Sequence, residues 1–323
     1  MRSVNCERSL QRKRRSDMAA RSVLMTGATG FIGRHMAAYL AKQGCEVVSL
    51  QRSSAAVAGV SQTVTLPDLQ PQKVAQAFRG RRFDWVVHFA GYGVSPGDRK
   101  ADEMFFANVE LTRSLIQLAP SWHVKAAFVA GTGSEYDTDD ATGPVLEDHP
   151  LELTKLYGAS KAAGTICAHA VAKASGLPLA IGRIFKTYGP GEPSHRLLPA
   201  LLHRLKQGNR VALSPGLQLR DQLYVEDVVT ATEAMLTAVE ARKTQVIANV
   251  ATGKPETVRH FAELVAEELG VSNNLLGFGD IAQRPDDTMC FSGNPQRLIS
   301  LTGWQPRFDL RSGIRKSIAY LEN

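Results

Sequence analysis

The chain has 323 residues, 44% of them hydrophobic and 21% charged, with a formal net charge of +7. That length suits one large α/β domain or a domain carrying a smaller lobe, and no apolar run approaches the roughly 20 residues of a membrane-spanning helix. Arg2, Arg8, Arg12, Lys13, Arg14 and Arg15 against Glu7 and Asp17 put +4 of the charge into the first 17 residues, so the remainder is nearly balanced.

Residues 1–20 read as a basic, disordered tail. They lack the apolar core of a secretory leader, and no nucleic-acid partner is expected of them. From Arg21 the pattern alternates. Ser22–Thr26 reads as a strand, the periodic stretch Phe31–Lys42 as a helix and Glu46–Leu50 as a strand, which makes a βαβ unit. Further strands are expected at 64–66, 84–89, 126–130 and 179–185, with helices at 71–79, 101–118 and 154–175. This order predicts an α/β fold, a Rossmann-type doubly wound parallel sheet, over residues 21–188. After Tyr188 the regularity fades and prolines punctuate shorter elements, so 189–323 is expected to be mainly a smaller C-terminal substrate-binding lobe, with some return to the first domain. Cys6, Cys45, Cys167 and Cys290 stand singly, with no metal-ligand spacing; a reducing, cytoplasmic setting and no metal are expected.

Gly27-Ala-Thr-Gly30-Phe31-Ile32-Gly33 follows a strand and opens a helix. Glycine permits the sharp turn at Gly27, close backbone approach to a pyrophosphate at Gly30 and tight helix packing at Gly33, while the helix N-terminus faces the phosphates. Dinucleotide enzymes that use NAD usually end the second strand in Asp or Glu, which binds the ribose hydroxyls. Here Gln51 and Arg52 precede Ser53 and Ser54, a neutral and cationic set that favours the 2′-phosphate of NADP(H) over NAD(H). Tyr157 and Lys161 are four apart on a predicted helix, so their side chains share a face; a phenol with an ordinary pKa near 10 needs a nearby positive charge to act near neutrality. Thr132, just past the strand at 126–130, completes a hydroxyl set that orients a reacting oxygen, with Ser134 the competing choice.

Together these residues resemble the extended short-chain dehydrogenase/reductases, also called the NAD-dependent epimerase/dehydratase family, from about Arg21 to Leu321. Asp68-Leu69, the Asp84-to-Ala90 strand, Asn108, the Arg183-to-Glu192 segment, Arg220-Asp221-x-x-Tyr224-x-x-Asp227, Asn249 and Gly303-Trp304 fall at the family's landmarks in order. The resemblance implies that Thr132, Tyr157 and Lys161 are catalytic. It implies that Gly27, Gly30, Phe31, Ile32, Gly33, Arg52, Ser53, Asp68, Leu69, Phe89, Ala90, Asn108 and Ile184 line the cofactor with Tyr157 and Lys161. Ser134, Lys186, His195, Arg220 and Arg284 are expected at a nucleotide-sugar substrate, Arg220 on its diphosphate, and a homodimer is expected from the family.

Departures from the family pattern narrow the chemistry. Gly133 and Ser134 replace the Asp-Glu pair of the dehydratases, Ser134 also stands where the decarboxylases carry glutamate and the GDP-fucose synthase type carries cysteine, Asp137 replaces a glycine, and Lys186 replaces a frequent asparagine. The expected reaction is reduction of a 4-keto-6-deoxy nucleotide sugar by NADPH with Tyr157 as proton donor. The rivals are a C4 epimerase holding NAD tightly and, from another class, a non-catalytic NADP-binding sensor.

Overall fold

The computed structural model describes residues 21–321 except 96, 99, 285 and 286. The basic tail, Cys6 and Pro285-Asp286 lie outside the described residues.

Seven strands form the main sheet. Six are β1 (Ser22–Thr26), β2 (Glu46–Gln51), β3 (Gln62–Thr65), β4 (Trp85–His88), β5 (Ala126–Thr132) and β6 (Leu179–Ile184), and the seventh is Gln245–Val250. Their spatial order is β3-β2-β1-β4-β5-β6 followed by Gln245–Val250, and β1 through β5 pair in parallel. That is the doubly wound order with an added edge strand. The strands form as they do because β1, β2, β4 and β5 are near-continuous apolar runs, as parallel strands covered on both faces must be. Val23, Leu24, Met25, Val47, Val48, Trp85, Val86, Val87 and Phe128 are all 0% exposed. Each such side chain contributes roughly 1.5–3 kcal/mol through burial.

The expected elements reappear with small shifts. β3 starts two residues early, because its pairing with β2 runs from Val48 opposite Gln62 to Gln51 opposite Thr65 and draws polar residues into the ladder. The helix expected over 101–118 is interrupted: Ala101–Phe105 and Leu111–Leu118 flank a π-helical segment, Phe106–Glu110, which contains Asn108. Such wide turns occur frequently at functional sites.

Contacts group the described chain into two compact units. The first comprises residues up to 130 with 160–181 and 235–246; the second comprises 131–159, 182–234 and 247–321. Within the first, Phe78, Phe83 and Trp122 meet edge to face, and the Arg21 guanidinium stacks on Trp85 while pairing with Glu240 at 2.7 Å. Within the second, small sheets join Lys186–Tyr188 to Gln222–Tyr224 and Leu219–Arg220 to both Glu256–Thr257 and Cys290–Phe291. Tyr188, Tyr224, Phe261 and Phe308 form its aromatic core. Among the described residues no helix is long and apolar enough to cross a membrane, and no His, Cys, Asp and Glu side chains cluster as metal ligands.

Candidate active site

In the first unit, the β1 turn shows why three glycines stand where they do. Gly27 has φ +74°, and a Cβ on it would sit 2.5 Å from the Ala90 nitrogen; one on Gly33 would sit 2.0 Å from the Gly27 carbonyl oxygen. The first and third glycines therefore close the turn against Phe89-Ala90 and seat the helix Phe31–Lys42 on it. Gly30 is the helix N-cap and is exposed, and no side chain caps the helix start. An uncapped N-terminus with its backbone open at Thr29 and Gly30 fits a pyrophosphate, so these residues match the cofactor that the sequence implies. Arg34 folds back onto this loop, with its guanidinium 3.1 Å from the Thr29 carbonyl oxygen.

The neighbouring strand ends supply the rest. Gln51 is buried; its amide donates to Thr63 Oγ1 at 3.1 Å, and its Oε1 is enclosed without a hydrogen-bond partner. Arg52 and Ser53, which follow, are exposed. Leu69 is buried with φ +49°, an uncommon strain for a non-glycine residue, and Asp68 beside it is exposed and paired with Lys73 at 2.5 Å. That hydrogen bond to Lys73 holds the Asp68 carboxyl below the usual range.

Asn108 serves the protein rather than facing outward. Its Oδ1 accepts from the Tyr92 nitrogen at 3.0 Å, and its Nδ2 donates to the Tyr92 carbonyl at 2.9 Å and to Ser160 Oγ at 3.0 Å. Both side-chain polar atoms are thus used in fixing the loop after β4 and the helix Leu156–Ser175. Gly164 on that helix packs against the Asn108 backbone, where a Cβ would stand 2.0 Å from its carbonyl oxygen. Lys161 on the same helix is 7% exposed and donates to the Ala130 carbonyl at 2.7 Å. His88 is buried between Thr26 Oγ1 at 2.6 Å and Thr112 Oγ1 at 2.8 Å; burial, aided by the Lys161 charge, drops its pKa to about 3, so it stays neutral.

In the second unit, Thr132 ends β5 and caps a short turn, Gly133–Glu135. Its hydroxyl accepts from the Ser134 nitrogen at 3.2 Å, while Glu135 Oε1 accepts from the Thr132 nitrogen at 2.9 Å, a reciprocal capping box. Thr132 shares a hydrogen bond with the Tyr157 hydroxyl. Tyr157 is partly exposed; desolvation of its phenol, aided by the Glu135 charge, outweighs the Thr132 bond and the Arg196 charge and pushes the pKa up to about 12.

Four features of this turn and the adjoining helix start were not anticipated from the sequence. Glu135 is fully buried and ion-paired with Arg183 at 2.8 Å; Arg183 also lies 4.4 Å over the Tyr136 ring. Gly158, next to Tyr157, lets the helix approach the turn: a Cβ there would stand 2.1 Å from the Ser134 carbonyl oxygen. Glu152 anchors the helix start by accepting from the Thr154 and Lys155 nitrogens at 2.7 and 2.9 Å; burial works against its ionisation, but these donors win and hold its pKa down at about 2. Gly133 itself is backed by aromatic rings, since a Cβ would meet both Phe185 and Phe291 at 2.7 Å.

The expected substrate residues divide. Arg220 is partly buried and pairs with Asp287 at 2.6 Å, and Lys186 lies in electrostatic reach of Arg220, Asp287, Glu192 and Arg196. Burial lowers the pKa of both cations. Ser134 is partly exposed on the turn and Ile184 is buried at the end of β6. His195 and Arg284 are exposed, while Arg196 beside His195 is partly buried and lies 3.8 Å from Glu192. Asp221 and Asp227, from the same sequence landmark as Arg220, are structural. Asp221 accepts from Thr252, Gly253 and Ser292, and Asp227 accepts from the Arg307 and Phe308 nitrogens.

The sequence model of the NAD dependent epimerase/dehydratase family matches residues 23–251. The chain is 31% identical over 307 residues to a dTDP-6-deoxy-L-talose 4-dehydrogenase (NAD(P)(+)) of Kitasatospora kifunensis, covering 91% of this chain and 93% of that protein. It is 26% identical to a dTDP-D-glucose 4,6-dehydratase of Bos taurus, covering 95% and 90%. Among solved structures, MoeE5 in complex with UDP-glucuronic acid and NAD superimposes with a TM-score of 0.81 at 28% identity, covering 93% of this chain and 99% of that one.

Proposed function

Because the chain belongs to the NAD dependent epimerase/dehydratase family, we propose that it is an NADPH-dependent reductase that converts a 4-keto-6-deoxy nucleotide sugar to a deoxysugar nucleotide. The observation that carries this reading is the Thr132–Tyr157 hydroxyl pair beside a turn whose one carboxylate, Glu135, is already committed. Elimination needs an acid and a base besides the tyrosine. The space beside Gly133 is filled by Phe185 and Phe291, and the one carboxylate of the turn, Glu135, is sealed by Arg183 and the Thr132 nitrogen. Simple transfer to a ketone needs neither. The relative named as a 4-dehydrogenase of a dTDP-6-deoxy sugar supports the same reading, since a C4 dehydrogenation run backwards is a C4 ketone reduction.

When bound, NADPH supplies the hydride. Thr132 Oγ1 orients the ketone oxygen by donating a hydrogen bond, and the Tyr157 hydroxyl gives that oxygen its proton. A phenol held near pKa 12 is fully protonated at neutral pH, the form that a reductase needs. Lys161, anchored on the Ala130 carbonyl, holds the cofactor ribose, and Arg220 takes the diphosphate.

Cofactor preference follows from β2. Gln51 brings no negative charge to the ribose, and the exposed Arg52 beside it is available to a 2′-phosphate. Arg52→Ala is expected to raise the KM for NADPH by about 10- to 100-fold, the worth of a hydrogen bond to a charged group, while leaving the KM for NADH within about twofold. Equal losses with both cofactors, read in steady-state kinetics, would rule out a phosphate contact. The activity itself is tested by following NADPH oxidation with a panel of 4-keto-6-deoxy nucleotide sugars.

A further inference from the structure

Beyond β6 the chain gathers a charged cluster that proton transfer does not use. Phe185 lies against Gly133, and Lys186 follows it in the chain as the first residue of the strand Lys186–Tyr188. Glu192 is 8% exposed; its Oε1 lies 3.8 Å from an Arg196 nitrogen, longer than a hydrogen bond, and its Oε2 is enclosed with no hydrogen-bond partner. Lys186 makes no hydrogen bond among the described residues, whereas Arg220 is matched by Asp287 at 2.6 Å and by the Thr288 carbonyl at 2.7 Å. The groups facing Glu192 are therefore Lys186 from the strand Lys186–Tyr188 and Arg196 from the start of the helix Leu197–Lys206, with Arg220 and Asp287 behind Lys186. Lys186 makes no side-chain hydrogen bond and the Arg196 guanidinium only a long ion pair among the described residues, and Glu192 Oε2 has no donor.

An enclosed carboxylate oxygen without a donor is costly, and a proton on it removes that cost. We propose that Glu192 is a positioning residue that couples binding of the nucleotide sugar to uptake of one proton. Protonated on Oε2, it leaves Lys186 and Arg196 to the diphosphate; ionised, it competes with the diphosphate for them. The proton comes from solvent and no other bond changes. Burial already drives this carboxyl upward, to about 7, against the pull of Arg196, Lys186 and a hydrogen bond from the Gly189 backbone, and diphosphate oxygens drawn to the two cations drive it further the same way. The sign follows: affinity is highest where Glu192 is protonated and falls as pH rises through neutrality. The inference rests on the reading that this chain takes a nucleotide sugar.

The test is calorimetric titration of the NADP-loaded protein with dTDP-glucose and UDP-glucose, whose diphosphate diesters do not titrate near neutrality. Titrations run from about pH 6 to about pH 8.5 in two buffers of different ionisation enthalpy. The wild type is expected to lose about 3- to 10-fold in affinity across that range and to take up a fraction of a proton per binding event near neutrality. Glu192→Gln should bind with an affinity that is flat with pH and should take up no proton, and Glu192→Asp should keep a pH dependence. A wild-type slope and proton uptake that persist in Glu192→Gln overturn the proposal while the nucleotide-sugar reading stands. Absence of binding by either sugar at every pH overturns both.

Discussion

Tyr157→Phe is expected to lower kcat by about 10²–10⁴-fold, the usual worth of a positioned general acid, with the KM of the keto-sugar changed much less. The substitution removes one oxygen and its hydrogen bond to Thr132 and leaves the ring, the helix Leu156–Ser175 and the Gly158 contact in place. The thermal midpoint should therefore stay near that of the wild type, which separates lost chemistry from lost folding. Because burial holds the hydroxyl near pKa 12, reduction by the wild type should show no fall in kcat up to about pH 9 from loss of the tyrosine proton. A residual rate within a few-fold of wild type would remove Tyr157 from the reaction. A basic limb near neutrality that vanishes in the phenylalanine variant would instead keep Tyr157 in the reaction and contradict the raised pKa, because it would mean a phenol far more acidic than this environment allows.

Glu135→Gln is expected to be the most destabilising single change near the site. Glu135 is 0% exposed and Arg183 is 3% exposed, and their 2.8 Å bond ties the turn after β5 to β6. Losing the carboxylate leaves a buried guanidinium uncompensated, which costs about 3–5 kcal/mol, and also weakens the cap on the Thr132 nitrogen. Glu135→Gln combined with Arg183→Met should recover part of that loss, since a matched apolar replacement leaves no unpaired charge. Thermal or denaturant unfolding of the two variants beside the wild type reads this directly; a Glu135→Gln protein as stable as wild type would show that the pair does not hold the turn.

These two residues mark the limit of what the sequence reveals. Gly27, Gly30 and Gly33 were legible because one short stretch carries both the turn and the helix start that need them. Tyr157 and Lys161 were legible because four-residue spacing on a helix brings side chains to one face. Glu135 and Arg183 pair across 48 positions of the sequence, and Glu192 acquires its character only from the strand and helix folded around it. Neither has a periodicity or a spacing to announce it. Arg196 and Asp287 were not legible because their ion pairs, with Glu192 and Arg220, exist only once the chain has folded. The break in the helix at Phe106–Glu110 was hidden for a similar reason, since its register change appears only in the backbone and in the bonds that Asn108 makes to Tyr92 and Ser160.

The central claim is tested most directly by mixing the protein with NADPH and each member of a panel of 4-keto-6-deoxy nucleotide sugars, and following cofactor oxidation together with the sugar product. The account predicts that at least one keto-sugar is reduced at C4 with one NADPH consumed per sugar, at a rate that Tyr157→Phe abolishes. It is contradicted if no keto-sugar consumes NADPH while a nucleotide hexose is interconverted at C4 with no net change of cofactor, which is the behaviour of an epimerase.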